Sequence, residues 1–213
     1  MKYAILAGVV SLGLFVTGAQ AQEGYNNEIT VSAFGSFQKG VTGNGVDQTA
    51  EHQPGVLATY RYYFRNNQAL EFDYGFSRYN QQFTGAGSTP LNLTSLGLSG
   101  TSLAVPTDTH EGTLSYVYRF GTIHHLRPFV SAGGGVLVFS PSAGAFGTGS
   151  STTFVTPDFV YSAGADVPVT RRVSLRLGYR GHVFQAPGFG IAEIKTGSVT
   201  HMAEPFAGLS FHF

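Results

Sequence analysis

Residues 70–77 read LEFDYGFS, and this stretch decides the fold class. Leucine or aromatic residues stand at every second position, whereas Glu71, Asp73 and Ser77 stand at the alternate ones. In a β-strand such alternation places the two kinds of side chain on opposite faces. Residues 114–120 repeat the pattern with leucine, two tyrosines and phenylalanine. Both stretches therefore predict strands with one apolar, aromatic face and one polar face.

The same alternation recurs along the chain, whereas no segment after residue 21 has a sustained 3.6-residue period. We predict eight strands, at residues 28–38, 56–64, 70–77, 111–120, 129–138, 158–167, 173–182 and 204–213. Four long connections alternate with three tight turns. This arrangement predicts an all-β fold, an eight-stranded antiparallel up-and-down β-barrel.

Two positions leave the register of the predicted strands open. Around Gly133 both faces of the fifth strand are apolar or small, so alternation does not orient it. In the last strand Pro205 cannot donate a hydrogen bond to a neighbour. We therefore expect a bulge, or a late start of regular pairing, at Pro205.

The composition differs from that of an average soluble domain and argues against several functions. The 213 residues are 42% hydrophobic and only 11% charged, against roughly 25% charged residues in an average soluble domain. The formal net charge is zero and no basic patch is present, which argues against a nucleic-acid partner. The absence of cysteine excludes disulfides, thiolate nucleophiles and cysteine-ligated zinc.

The first 21 residues have the three parts of a secretory signal. Lys2 supplies the positive charge, residues 4–16 form an apolar run, and residues 19–21 read AQA, a small-residue cleavage site. The apolar run is shorter than the roughly 20 residues of a membrane-spanning helix. We expect residues 1–21 to be removed, and residues 22–213 to form one barrel domain.

The large aromatic faces decide which side of the barrel points outward. An eight-stranded barrel has an interior just wide enough for side chains, so these rings would overfill it. Moreover, no apolar face carries a charge, as expected of a surface in lipid. We therefore predict a transmembrane barrel with its charges in the lumen, where they form a network of both signs: Glu28, Arg61, Glu71, Asp73, Glu111, Arg119, Asp158, Asp166, Arg176, Arg180 and Glu204.

Two motifs carry a resemblance to a known family. Residues 208–213, GLSFHF, end the chain on phenylalanine with apolar residues at alternate positions before it, and residues 127–135 read RPFVSAGGG. Together with the signal segment, they make residues 22–213 resemble the small eight-stranded outer-membrane β-barrels of diderm bacteria, the OmpA-like and related domains. The resemblance implies that Leu209, Phe211 and Phe213 are an assembly signal read by the barrel-assembly machinery. It also implies chaperone contacts in the periplasm, outer-membrane lipid as the environment, and a monomer.

The candidate chemical groups give no catalytic constellation. None of the seven histidines has serine two positions later, the pattern expected of a lipid deacylase. His182 shares the polar face of Arg176 and Arg180, but we expect a solvated side chain near the barrel mouth in preference to a member of the network. His201 and Glu204 have an odd spacing and should point to opposite faces. We predict no metal and no cofactor, and interpret the glycines at 133–135 as a close approach of backbones.

Three functions remain open from the sequence, all in the bacterial outer membrane. The favoured one is a non-enzymatic barrel with a lumen blocked by side chains and long loops for surface interaction or envelope integrity, with a possible extracellular ligand. The second is a narrow pore for small solutes or hydrophobic compounds. The third is a lipid-modifying enzyme.

Overall fold

The computed structural model describes residues 26–87, 90–91, 101–146 and 152–213. The predicted signal segment lies outside these residues. Ten β-strands form in the described part of the chain: β1 (Asn27–Gln38), β2 (Val41–Gly43), β3 (Val46–Ala50), β4 (Gln53–Arg65), β5 (Gln68–Gly85), β6 (Ser102–Arg119), β7 (Arg127–Pro141), β8 (Phe154–Pro168), β9 (Val173–Gln185) and β10 (Val199–His212).

Eight of these strands close into one antiparallel barrel. Each long strand pairs with the next one along the barrel wall, and the wall is completed by pairing of β1 with β10 and of β5 with β6. The predicted fold class, an eight-stranded antiparallel up-and-down barrel, is confirmed. Within the described residues, no helix is long and apolar enough to cross a bilayer.

The first long connection contains a hairpin that the sequence-based prediction missed. Strands β2 and β3 pair around Asn44 and Gly45, both of which have positive φ angles, 52° and 77°. Asparagine followed by glycine is the sequence that a two-residue turn of this kind favours. Strand β3 also pairs with β5, so this hairpin extends the barrel wall beyond the mouth.

The opposite end of the barrel has the short turns between strands. Strands β4 and β5 are joined through Asn66 and Asn67, and β8 and β9 through residues 169–172. The start of β1 meets the last residue here, because Asn27 and Phe213 exchange two backbone hydrogen bonds, of 3.1 and 2.9 Å. We call this the turn end, and the opposite one the loop end.

The side chains alternate between the outer surface and the interior. On β5, Phe72 is 51% exposed whereas Glu71 and Asp73 are buried, and on β6 Leu114 is 56% exposed while its neighbours are buried. The outer surface near the turn end carries aromatic rings, among them Tyr118 and Phe120 in an edge-to-face pair. Apolar side chains outside and polar ones inside are the arrangement of a barrel in lipid.

The glycines of β7 allow a close approach of backbones, as predicted. A Cβ atom on Gly133 would lie 2.1 Å from the carbonyl oxygen of Leu114, and one on Gly135 would lie 2.1 Å from that of Gly112. Both glycines face the interior, between Phe129 and Leu137 on the same face. Glycine is therefore required there because the β6 backbone occupies the space of a side chain.

Replacing Gly135 with alanine should lower the free energy of unfolding by about 1–3 kcal/mol, because the β6 backbone must shift to admit the methyl group. Gly112 is a matched control, since a Cβ atom there meets no atom within 4 Å. Urea titration followed by the mobility of the folded band in gels measures both variants. Equal effects of the two substitutions would contradict the steric explanation.

Pro205 does not produce the predicted bulge or late start. Strand β10 begins at Val199 and pairs with β9 in one continuous register, with Pro205 opposite Tyr179. On its other edge, pairing with β1 is interrupted opposite residues 204–205 and resumes in the same register. The prediction is wrong because the missing N–H of a proline affects only one edge of a strand.

Strands β5 and β6 are longer than predicted, and their alternation inverts at the loop end. Beyond residue 77 the outward positions are polar: Arg78 bonds Asp108 at 2.9 Å, and Asn80 donates to Glu51 at 2.8 Å. The inward positions include large rings, Tyr79 and Phe83, on either side of the buried Gln81. The prediction ended the strands too early because it followed an apolar outer face. That face is apolar only where the strand lies in lipid, and it is polar where the strand lies in water.

Among the residues that the structure describes, fourteen buried apolar ones, which we call the apolar cap, pack together at the loop end of the barrel. They come from five barrel strands, from β3 and from the connections. The residues are Val46, Tyr79, Phe83, Leu91, Leu103, Val105, Leu137, Phe139, Phe146, Phe184, Phe189, Ile191, Ile194 and Met202. The long connections are thus anchored, in part, by burial of apolar side chains.

Candidate functional site

The charged interior is the candidate functional site, and it contains two groups of ionic side chains. The turn-side cluster consists of Glu28, Arg61, Glu71, Asp166 and Arg176, which lie on five different strands. Each of these residues is at most 6% exposed. Isolated buried charges are too costly to persist, so the contacts among them decide whether this arrangement is stable.

Two arginines hold the turn-side cluster together. Arg176 donates to Asp166 at 2.7 Å and also to Glu28, and Arg61 donates through Nε to Glu71 at 2.8 Å. The two pairs are close enough to interact, because Nη1 of Arg61 lies 3.7 Å from Oδ2 of Asp166. The cluster therefore links β1 with β8 and β9, and β4 with β5, across the interior.

Aromatic rings fill the space around these guanidinium groups. The ring of Phe129 lies 4.5 Å from the guanidinium carbon of Arg61 and 5.2 Å from that of Arg176. The hydroxyl of Tyr63 donates to Glu28 at 3.1 Å. Both rings point into the interior, and the cation–π contacts of Phe129 add to the ion pairs.

The central cluster consists of Glu111, Asp158, Arg180, His182 and Glu204, nearer the loop end. Arg180 donates to Oε1 of Glu111 at 2.8 Å and lies 3.5 Å from Oε2 of Glu204. Gly75, opposite Glu111 on the neighbouring strand, leaves room for the Glu111 carboxylate, because a Cβ atom at Gly75 would lie 1.9 Å from it. Asp73, between the clusters, accepts a 2.6 Å hydrogen bond from Thr59.

His182 is placed differently from the expectation. We expected a solvated side chain near the mouth, but His182 is fully buried, and its Nδ1 lies 2.7 Å from Oδ2 of Asp158. The apolar cap covers the loop end, and this cover was not visible as a strand pattern in the sequence. His201, by contrast, bonds the hydroxyl of Tyr161 at 2.9 Å on the outer face, opposite to the buried Glu204.

Arg119 lies at the turn end of the interior, outside both clusters. Its guanidinium donates to the backbone carbonyl of Asn66 at 2.8 Å and its carbon atom lies 4.3 Å from the ring of Tyr63. The ten other residues proposed for the charge network are all buried in the interior. Sequence reasoning also omitted His212, whose Nδ1 lies 3.4 Å from Oε2 of Glu28, although its position in the alternation already places it inside.

The three residues of the proposed assembly signal share the outer face of β10 and its end. Leu209 and Phe211 are exposed, by 61% and 46%, and the rings of Phe211 and Phe213 stack with centroids 6.2 Å apart. The backbone of Phe213 is held by Asn27 at the start of β1. The backbone of these last residues therefore helps to close the barrel, while their apolar side chains point outward.

Comparisons with known proteins agree with this geometry. The family model "Outer membrane protein beta-barrel domain" matches residues 7–202. Neisserial surface protein A has a similar structure, with a TM-score of 0.59 and 17% identity over 90% of this chain and 100% of that one. OprG from Pseudomonas aeruginosa gives 0.57 and 14%, over 89% and 96% of the two chains. A comparison with curated protein sequences finds no match.

The two solved structures share the fold, and the family model covers most of this chain. The interior charges and the exposed apolar outer surface fit the same environment. The chain is therefore a member of the outer-membrane β-barrel family of bacteria.

Proposed function

We propose that this protein is a non-enzymatic, non-conducting barrel whose interior is closed by its own side chains. The observation that carries the proposal is the turn-side cluster, where Arg176 joins Glu28 of β1 to Asp166 of β8 across the interior. Five charged side chains, each at most 6% exposed, leave little room for solvent there. Eight strands enclose little free space to begin with.

The apolar cap supports the same proposal from the other end. Phe139, Phe184 and Phe189 are each at most 3% exposed, and they contact other rings of the cap or of the strands around it. An ion entering from the loop end would have to cross this apolar layer without hydration, at a high energetic cost. The role that remains for such a barrel is to stabilise the envelope and to present its long loops to an extracellular ligand or surface.

Recordings in planar bilayers test this proposal. We expect purified protein to give no steady openings above noise at neutral pH. Steady openings would overturn the closed-barrel proposal and favour a narrow pore. In parallel, expression of the protein in a bacterium that makes lipid A should leave the acyl chains of lipid A intact, and their loss would establish a lipid-modifying enzyme instead.

We further propose that residues 1–21 are removed on export and that the barrel-assembly machinery reads Leu209, Phe211 and Phe213, after periplasmic chaperones have delivered the unfolded chain. The exposed, stacked rings at the end of β10 support a role in recognition before the barrel closes. Sequencing of the amino terminus of the outer-membrane form should find Gln22 first.

Replacing Phe213 with alanine should reduce the amount of folded protein in the outer membrane, because the proposed signal loses its terminal ring. Phe120, another exposed ring near the turn end, is the matched control, and its replacement by alanine should leave the amount nearly unchanged. Fractionation and the heat-dependent gel mobility of the folded band measure both variants. Wild-type abundance of the Phe213 variant would contradict the proposal.

A further inference from the structure

His182 has one ring nitrogen engaged and the other facing two carboxylates. Its Nδ1 lies 2.7 Å from Asp158, a distance at which Nδ1–H donates to the carboxylate. Its Nε2 lies 3.3 Å from Oε2 of Glu204 and 3.5 Å from Oε2 of Glu111. All of these side chains are buried, and His182 is 0% exposed.

Two of the atoms that meet at this point have no hydrogen-bond partner. They are Nε2 of His182 and Oε2 of Glu204, and buried polar atoms without a partner are rare in proteins. With Nδ1–H donated to Asp158, a neutral imidazole directs the lone pair of Nε2 at carboxylate oxygens, which repel it. A cation between these atoms removes the repulsion.

The charges of the central cluster also favour a cation. The cluster has three carboxylates and one guanidinium: Arg180 pairs with Glu111 and Glu204, whereas Asp158 pairs with His182. Arg180 binds Oε1 of Glu111, so Oε2 of Glu111 remains free to face His182. The excess of negative charge is thus concentrated where Nε2 and the two carboxylate oxygens converge.

The spacing matches that of a metal site. The ligand atoms of Glu111, His182 and Glu204 lie within 4.8 Å of one another, and the nitrogen-to-oxygen distances are 3.3 and 3.5 Å. Metal–ligand bonds of roughly 2.0–2.2 Å in tetrahedral geometry place ligand atoms about 3.4 Å apart. A carboxylate on the other ring nitrogen, here that of Asp158, is the usual orienting partner of a metal-bound histidine.

We propose that Glu111, His182 and Glu204 form a binding site for a divalent transition-metal ion such as Zn²⁺, oriented by Asp158. One nitrogen and two carboxylate oxygens suit Zn²⁺ and its neighbours better than Ca²⁺, which takes six or more oxygens. The ion ties β6 to β9 and β10 across the interior, and because the apolar cap covers the site, it enters as the barrel folds. This proposal is independent of whether the barrel conducts.

Refolding in the presence of Zn²⁺ alone tests the site. Denatured protein is refolded in detergent with Zn²⁺, washed with a chelator and assayed for metal, and the folded fraction is read from heat-dependent gel mobility. We expect one Zn²⁺ per folded wild-type chain. His182→Gln and Glu204→Gln should each hold at least about tenfold less metal, and Asp158→Asn should bind it about 10–100-fold more weakly.

Asp73→Asn is the matched control, because Asp73 is a buried interior carboxylate held by Thr59 and lies outside the three ligands. This variant should retain the metal. At a free Zn²⁺ concentration 100-fold above its Kd, the folding equilibrium of the wild type should shift about a hundredfold toward the folded state.

Two outcomes overturn the proposal, and both are measured on the folded wild-type protein. One is a folded protein that retains no more Zn²⁺ than His182→Gln or than a barrel refolded with chelator. The other is a nitrogen NMR spectrum, recorded after refolding with Zn²⁺, in which both ring nitrogens of His182 carry protons. In that case a proton, and not a metal ion, lies between His182 and the carboxylates.

Discussion

Replacing Arg176 with alanine is expected to lower the free energy of unfolding by about 3–5 kcal/mol, the usual cost of removing one partner of a buried ion pair. Arg176 is 2% exposed and is the ion-pair partner of both Glu28 and Asp166. Without it, two carboxylates remain buried near the single guanidinium of Arg61. The loss therefore reflects uncompensated charge in addition to the missing contacts.

Arg78→Ala is the matched control for this prediction. Arg78 also pairs with a carboxylate, that of Asp108, but its side chain is 71% exposed on the outer face. Water can solvate the Asp108 carboxylate, which is 31% exposed, once the guanidinium is gone, so the unfolding midpoint should hardly move. Urea titration in one detergent measures both variants. A midpoint for Arg176→Ala equal to that of Arg78→Ala would show that the turn-side cluster does not stabilise the barrel.

Replacing Phe189 with alanine should release the connection between β9 and β10 from the apolar cap. Phe189 is fully buried, with ring centroids 5.6 Å from Phe146 and 6.3 Å from Phe83. Its φ angle of 50° is unusual for an aromatic residue, which indicates that packing of the ring holds the backbone in place. Truncation of a buried phenylalanine costs about 3–5 kcal/mol.

Hydrogen exchange of the backbone amides between β9 and β10 measures how far this connection is released. The amides of Ala186 and Ile191 are bonded to carbonyls of the same connection, at 3.0 and 2.9 Å, and their protection should fall by at least about a hundredfold. Val199→Ala, at a site 66% exposed beside the connection, should leave it unchanged. Unaltered protection in Phe189→Ala would mean that other cap residues hold the connection without it.

The sequence was sufficient for the part of the barrel that lies in lipid. There each strand has one apolar and one polar face, so alternation alone located β1, β4 and the turn-end half of β5, and placed side chains such as Glu71 inside. The charges could be assigned to the interior for the same reason. Their partners could not, because Glu28 and Arg176 are 148 residues apart and meet only when the barrel closes.

The loop end was beyond this reasoning for a physical reason. Outside the lipid the outer face meets water and large rings enter the interior, so a strand there has polar side chains outside and rings inside, as at Arg78 and Phe83. A prediction that follows only the apolar face loses the strand there. The apolar cap was missed for the same reason. The burial of His182 was missed with it, because the residues next to His182 in the sequence do not reveal that the cap covers it.

The unequal lengths of the strands give the barrel a sloping rim. Strands β5 and β6 have 18 residues each, so at about 3.3 Å per residue and a tilt near 40° they rise about 45 Å, against an apolar band of about 25 Å. Strand β9, with 13 residues, rises about 33 Å. The β5–β6 side of the barrel thus extends beyond the lipid as hydrogen-bonded sheet. An approaching surface meets this sheet before it meets the connections. The distance from the membrane at which the two make contact is therefore set by the length of β5 and β6.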